Sequence, residues 1–182
     1  GDVYKRQESA VALCLCAGLV SDTLNLTSPT TTDVDRDMLL WLSELAGVDA
    51  DEFAESFFAS GSLLLHGDAQ AIVGTDRKEF TEDGVFLSLS QVEETSFKGL
   101  SKRQEELLEE LGRLRHENRY ELCAILVTDI RRHDSVLLAV GREELLCKLP
   151  FTRNGVNEFS APGVVSRKKQ LFPAVCEAIK LG

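Results

Sequence analysis

Two short, wholly apolar runs, residues 122–127 and 136–140, constrain the fold more than any other feature of this chain. Each is too short for a typical helix and suits a central strand. Residues 101–118 form a long charged stretch. There Leu107, Leu108, Leu111 and Leu114 make one helical stripe, with Glu109 and Arg113 four apart on the other side. Residues 78–82 and 85–92 read as a hairpin about Asp83-Gly84, a favoured two-residue turn. Phe86, Leu87, Leu89 and Val92 supply its apolar content. Residues 142–146 read as one helical turn and 157–160 as another strand. A last helix runs to about residue 181, with Pro173 in its first turn. Strands interleaved with helices give an α/β class, a mixed sheet flanked by helices.

The first third reads as helical. Residues 8–20, rich in Ala, Leu and Cys, suit a buried helix, and Asp22 stands where it ends. Thr32 with Asp35 resembles a capping box, opening a helix over 33–46 that Gly47 stops. Val34, Met38, Leu42 and Leu45 recur at helical spacing and are read as its core face. A further helix over about 50–60 carries Phe53, Phe57 and Phe58. Gly61-Ser62 and His66-Gly67-Asp68 interrupt the pattern and mark a boundary between parts at 8–62 and 66–182. Asp68 can cap a short helix to Val73, with Gly74 ending it. Residues 1–7 read as a non-native leader. Lys5-Arg6 before an apolar run mimics a signal peptide, but Glu8 interrupts the basic flank and no small-residue cleavage site follows. The run is shorter than the roughly 20 residues a membrane span needs.

A formal charge of -10 argues against general nucleic-acid binding, which wants a basic face. None of the five cysteines has zinc or thioredoxin spacing, and they read as buried reduced thiols of a cytosolic protein. Against the acidic balance, Arg167-Lys168-Lys169 stands out. It follows Ala161-Pro162-Gly163 and precedes the last helix. Alone, such a run is usually a solvated helix end. At a helix amino terminus, free N–H groups and the dipole add to the side-chain charge, and phosphate is the natural guest. His133, in the loop after the first apolar run, reads as a plain surface histidine.

Gly18-Leu19-Val20-Ser21-Asp22-Thr23, Ser28-Pro29-Thr30-Thr31-Thr32-Asp33, Arg77-Lys78-Glu79-Phe80, Val127-Thr128-Asp129-Ile130 and Gly163-Val164-Val165-Ser166-Arg167-Lys168-Lys169-Gln170 occur in this order. Together they resemble the manganese-dependent (family II) inorganic pyrophosphatases of the DHH phosphoesterase superfamily, over about residues 8–182. The family's amino-terminal His/Asp motif and its Asp-His-His signature have no counterpart. His66, His116 and His133 are isolated. The resemblance therefore implies a carboxy-terminal fragment, a helical remnant of the DHH domain followed by a DHHA2-type substrate-binding domain.

The resemblance implies hydrolysis of inorganic pyrophosphate to two phosphates by a metal-activated water. Lys78, Arg167 and Lys168 match the family's substrate-binding cations, with Lys169 adding field. Asp22 matches one metal-ligating carboxylate, for Mn2+, with Co2+ or Mg2+ as alternatives. The family's catalytic histidine has no match. The intact parent would be a cytoplasmic homodimer with no nucleic-acid or membrane partner, and the fragment alone is expected to be inactive. A DHH exopolyphosphatase and a non-enzymatic phosphate-binding module are the alternatives. Residues 8–60 are expected to expose apolar faces.

Overall fold

The computed structural model describes residues 2–181, with side chains from Glu8 onward. The chain divides into two compact units, Gly1–Gly61 and Ser62–Gly182.

The first unit is three helices: α1 Asp2–Thr23, α2 Asp33–Ala46 and α3 Ala50–Gly61. Helix α1 begins at Asp2 rather than at residue 8, so the backbone of 2–7 continues it. The leader reading otherwise falls on side chains outside those described. Ala12, Cys16 and Val20, four residues apart, form its buried stripe and pack with Leu39, Leu42 and Ala54. Past Thr23 the backbone is left-handed at Leu24, Asn25 and Leu26, an uncommon run for residues carrying a Cβ. The turn is tied by Thr23, whose hydroxyl donates to Leu19 O at 2.7 Å and accepts Leu26 N–H at 3.0 Å.

Helix α2 starts where the capping box places it. Thr32 accepts the Asp35 N–H, and the Asp35 carboxylate accepts the Thr32 N–H at 2.7 Å. Gly47, at φ 72°, ends it. Its core face differs from expectation. Leu39 and Leu42 are buried, whereas Val34 is 68% exposed, and Met38 and Leu45 are over 40% exposed. The contact with α1 selects the 39/42/46 line, one position round from the line that sequence spacing favours.

The second unit is a six-stranded mixed sheet. Its strands are β1 Lys78–Glu82, β2 Val85–Glu94, β3 Leu122–Asp129, β4 Asp134–Gly141, β5 Thr152–Arg153 and β6 Glu158–Pro162. They lie in the order β1-β2-β3-β4-β6-β5. Only β2 and β3 are parallel, and they are joined by the helix α6 Leu100–Asn118, as a parallel pair requires. The β1–β2 hairpin turns on Asp83 and Gly84, both at positive φ, which the two-residue primed turn demands. Every residue of β3 is buried, which is why that strand reads as a continuous apolar run.

Helices cover both faces. On one side α4 Leu63–His66, α5 Ala69–Gly74 and α6 pack onto Val92, Cys123, Ile125, Val127 and Leu138. On the other, α7 Glu143–Leu146 and α8 Phe172–Lys180 pack onto Leu89, Leu126, Leu137, Phe159 and Ala161. In α6, Arg113 pairs with Glu110 at 2.6 Å and with Glu117, not with Glu109 as the spacing suggested. Two elements had no sequence signal: the two-residue strand β5, and a π-helical turn, Arg167–Leu171, running directly into α8. Two cysteines depart from the buried-thiol reading, since Cys14 and Cys147 are exposed. No described helix is long and apolar enough to cross a membrane.

Candidate functional site

The basic run enters the fold through a heavily tied segment, residues 163–170. Chain direction reverses after β6 at Gly163, whose φ of 73° favours glycine. Its N–H reaches Asp134 Oδ1 at 3.3 Å. Ser135 Oγ donates to Val164 O at 2.5 Å and accepts from the Thr128 hydroxyl at 2.9 Å. Gln91 Nε2 donates to Val165 O at 3.0 Å, and Gln91 Oε1 accepts the Arg167 N–H at 2.7 Å. Gln170 closes the loop from inside, accepting Val165 N–H at 2.9 Å and donating to Gly163 O at 2.8 Å. Gln91, Thr128 and Ser135 are all buried polar residues at one end of the sheet. Buried polar side chains must find partners, and here Gln91 and Ser135 find theirs in the backbone of the basic segment while Thr128 bridges those two side chains.

The expected free amides are partly taken. Ser166 accepts the Lys169 N–H at 3.2 Å, and Gln91 takes that of Arg167. What this turn offers an anion is therefore side-chain charge more than backbone donors. Arg167 itself is buried, 7% exposed. Its guanidinium lies 5.9 Å from the centre of the Phe80 ring, and Phe80 stacks on Phe172 at 4.1 Å. Arg167 Nη2 lies 3.1 and 3.0 Å from the two carboxylate oxygens of Asp76, and Nε 3.3 Å from one of them. Such forked pairs fix direction as well as charge. Lys168 and Lys169 are exposed, with no side-chain partner among the described residues.

Lys78 opens β1, exposed, between Asp76 and Phe80, the two residues that hold Arg167. By strand alternation it shares a face with Phe80. The fold thus brings Arg167 to the start of β1, where Lys78 lies between its two partners in sequence, and Lys168 follows Arg167 in the chain, both lysines exposed. Asp76, Gln91 and Ser135 belong to this arrangement too, and sequence reasoning missed them. Gln91 and the two serines before it did interrupt an apolar strand, a signal that something polar is met there.

Asp22 belongs to the other unit, exposed in the last turn of α1. Among the described residues no group of three or more His, Cys, Asp or Glu side chains could hold a metal ion. One exposed carboxylate does not fit a two-metal centre by itself. His133 is exposed in the turn between β3 and β4, at φ 56°. Its neighbour Asp129 is buried and spends Oδ1 on the N–H groups of Arg131 and Arg132, so it shapes that turn.

Comparison with known proteins agrees with this fold. Residues 55–178 match the DHHA2 domain profile. The chain is 32% identical over 173 residues to the manganese-dependent inorganic pyrophosphatase of Bacillus subtilis, covering 94% of this chain and 56% of that protein. It is 31% identical over 175 residues to the cobalt-dependent inorganic pyrophosphatase of Clostridium perfringens, covering 96% of this chain and 32% of that one. A crystal structure from Methanococcus jannaschii, of a protein assigned to the family II inorganic pyrophosphatases, superimposes with a TM-score of 0.61 at 30% identity. It covers 95% of this chain and 56% of its own. The chain thus spans about half the length of the Bacillus relative. With the profile spanning more than half of the sequence, and the sheet and basic segment in place, the chain belongs to the DHHA2 domain family.

Proposed function

We propose that Ser62–Gly182 is the substrate-binding part of an inorganic pyrophosphatase, clamping pyrophosphate between Lys78, Arg167 and Lys168. The observation that carries this reading is the pairing of Arg167, in the basic run, with Asp76, two residues before Lys78 at the start of β1, in a chain of net charge -10. Arginine offers a planar fork to phosphoryl oxygens and lysine a mobile point charge. Neutralising those oxygens is what phosphoryl transfer asks of such a clamp. The names of the relatives, manganese-dependent and cobalt-dependent pyrophosphatases, support the substrate and Mn2+, or Co2+, as cofactor. The first unit, on this reading, is the end of a DHH-type domain, and Asp22 is one carboxylate of a metal centre completed by residues outside this chain. The family resemblance supports a cytoplasmic homodimer as the working form.

The test is phosphate release from pyrophosphate with manganese, for this chain alone and for the chain joined to a family first domain carrying Asp-His-His. We expect turnover only in the joined protein, reduced at least tenfold by Arg167→Ala or Lys168→Ala, roughly the value of one charge-assisted contact. No turnover in a folded, metal-loaded joined protein refutes the reading.

A further inference from the structure

The contact between Arg167 and Asp76 admits two roles with opposite consequences. As a competitor, the carboxylate fills the fork that a phosphate would take, and its removal strengthens anion binding. As a support, it holds the guanidinium still, and its removal weakens binding. The geometry favours the second. Asp76 engages the Nε–Nη2 edge, and Nη1 has no partner among the described residues. Of the five N–H donors, those on Nη1 therefore remain for a ligand. The stem is buried, with the guanidinium carbon 5.9 Å from the centre of the Phe80 ring.

Asp76 is itself anchored. Its φ of 41° lies in the left-handed region that aspartate tolerates. Its neighbours are tied: Gln91 N–H donates to Thr75 O at 3.2 Å, and Arg77 N–H to Gly74 O at 3.4 Å. The same Gln91 receives the Arg167 N–H. Backbone and guanidinium of Arg167 are thus both indexed to one short stretch of the β1–β2 pair.

We infer that Asp76 is a positioning residue, holding Arg167 by one edge so that the other is presented to a phosphoryl oxygen of pyrophosphate. This rests on the proposed function. Holding the side chain beforehand lowers the ordering cost of binding, which outweighs the nearby negative charge because Asp76 is largely exposed and screened.

The experiment is calorimetric titration of the 182-residue chain with imidodiphosphate, a non-hydrolysable pyrophosphate analogue, at fixed salt. The variants are Asp76→Asn, Arg167→Lys, their combination and Arg167→Ala. Asparagine keeps the left-handed backbone but sets a donor against the guanidinium. Asp76→Gly, which also tolerates this φ, replaces it if the asparagine variant misfolds. Binding should weaken about tenfold in Asp76→Asn, with no further loss on the Arg167→Lys background, because lysine has no fork to aim. The Arg167 Nε–H resonance should exchange slowly in the parent chain and fast in Asp76→Asn. Unchanged or tighter binding in Asp76→Asn overturns the inference, as does an equal loss in both backgrounds. If Arg167→Ala binds as well as the parent chain, or neither binds, the proposed function fails, and the inference with it.

Discussion

Cys123 lies on β3 at 1% exposure, facing the helices that include α6. Burial, the main cause, pushes its thiol up from 9.0 to about 11. The unfolded chain loses this proton near pH 9, while the folded one keeps it. Stability from this group is therefore full below pH 9 and falls as pH rises towards about 11. Urea denaturation between pH 8 and 11 should show a loss of which about 2 kcal/mol disappears in Cys123→Ala, on top of that variant's own lower baseline. A pH dependence indifferent to that substitution would place the titration elsewhere. The same chemical logic divides what single residues reveal in sequence. Lys78, Arg167 and Lys168 could be singled out because cations stand out in an acidic chain. Asp76 could not, because its meaning lies in a partner 91 residues away.

Among elements, α2 shows both what local chemistry settles and what it does not. Thr32, Asp35 and Gly47 are start and stop signals written within the helix's own neighbourhood, and the helix obeys both. Thr32→Ala should cost about 1 kcal/mol. Amide exchange should speed up in the first turn of α2 while β3 stays protected, and uniform loss across both units would refute a local role. Its buried face was misread because 3.6-residue periodicity offers neighbouring lines of similar apolarity, and only the partner helix chooses between them. The hairpin was plain from Asp-Gly. The π turn and β5 were not. The first depends on an inserted residue with no compositional mark, and the second is two residues held by a neighbour.

For the whole molecule, the two units differ in how well they bury what they carry. Val11, Leu15, Val34, Leu40 and Trp41, all in the first unit, are each more than half exposed. In the second unit the sheet has helices on both faces. Apolar surface left in water supplies no stability, so the first unit should open more easily. Hydrogen exchange should show α1 to α3 exchanging at least tenfold faster than β2 to β4 under native conditions. Comparable protection throughout would mean those faces are covered in solution. The general plan was legible because periodicity is repeated along each element. The candidate site was legible only as an inventory of charges, since the contacts of Arg167 are long-range. That separation also sets an order of events. Gln91 meets Arg167 across 76 positions, and Asp76 across 91. A chain emerging from the ribosome has made β1 to β4 well before Arg167 is synthesised. A polypeptide interrupted between those points therefore carries Asp76 and Gln91 already placed at the sheet while the arginine that answers both is still unmade.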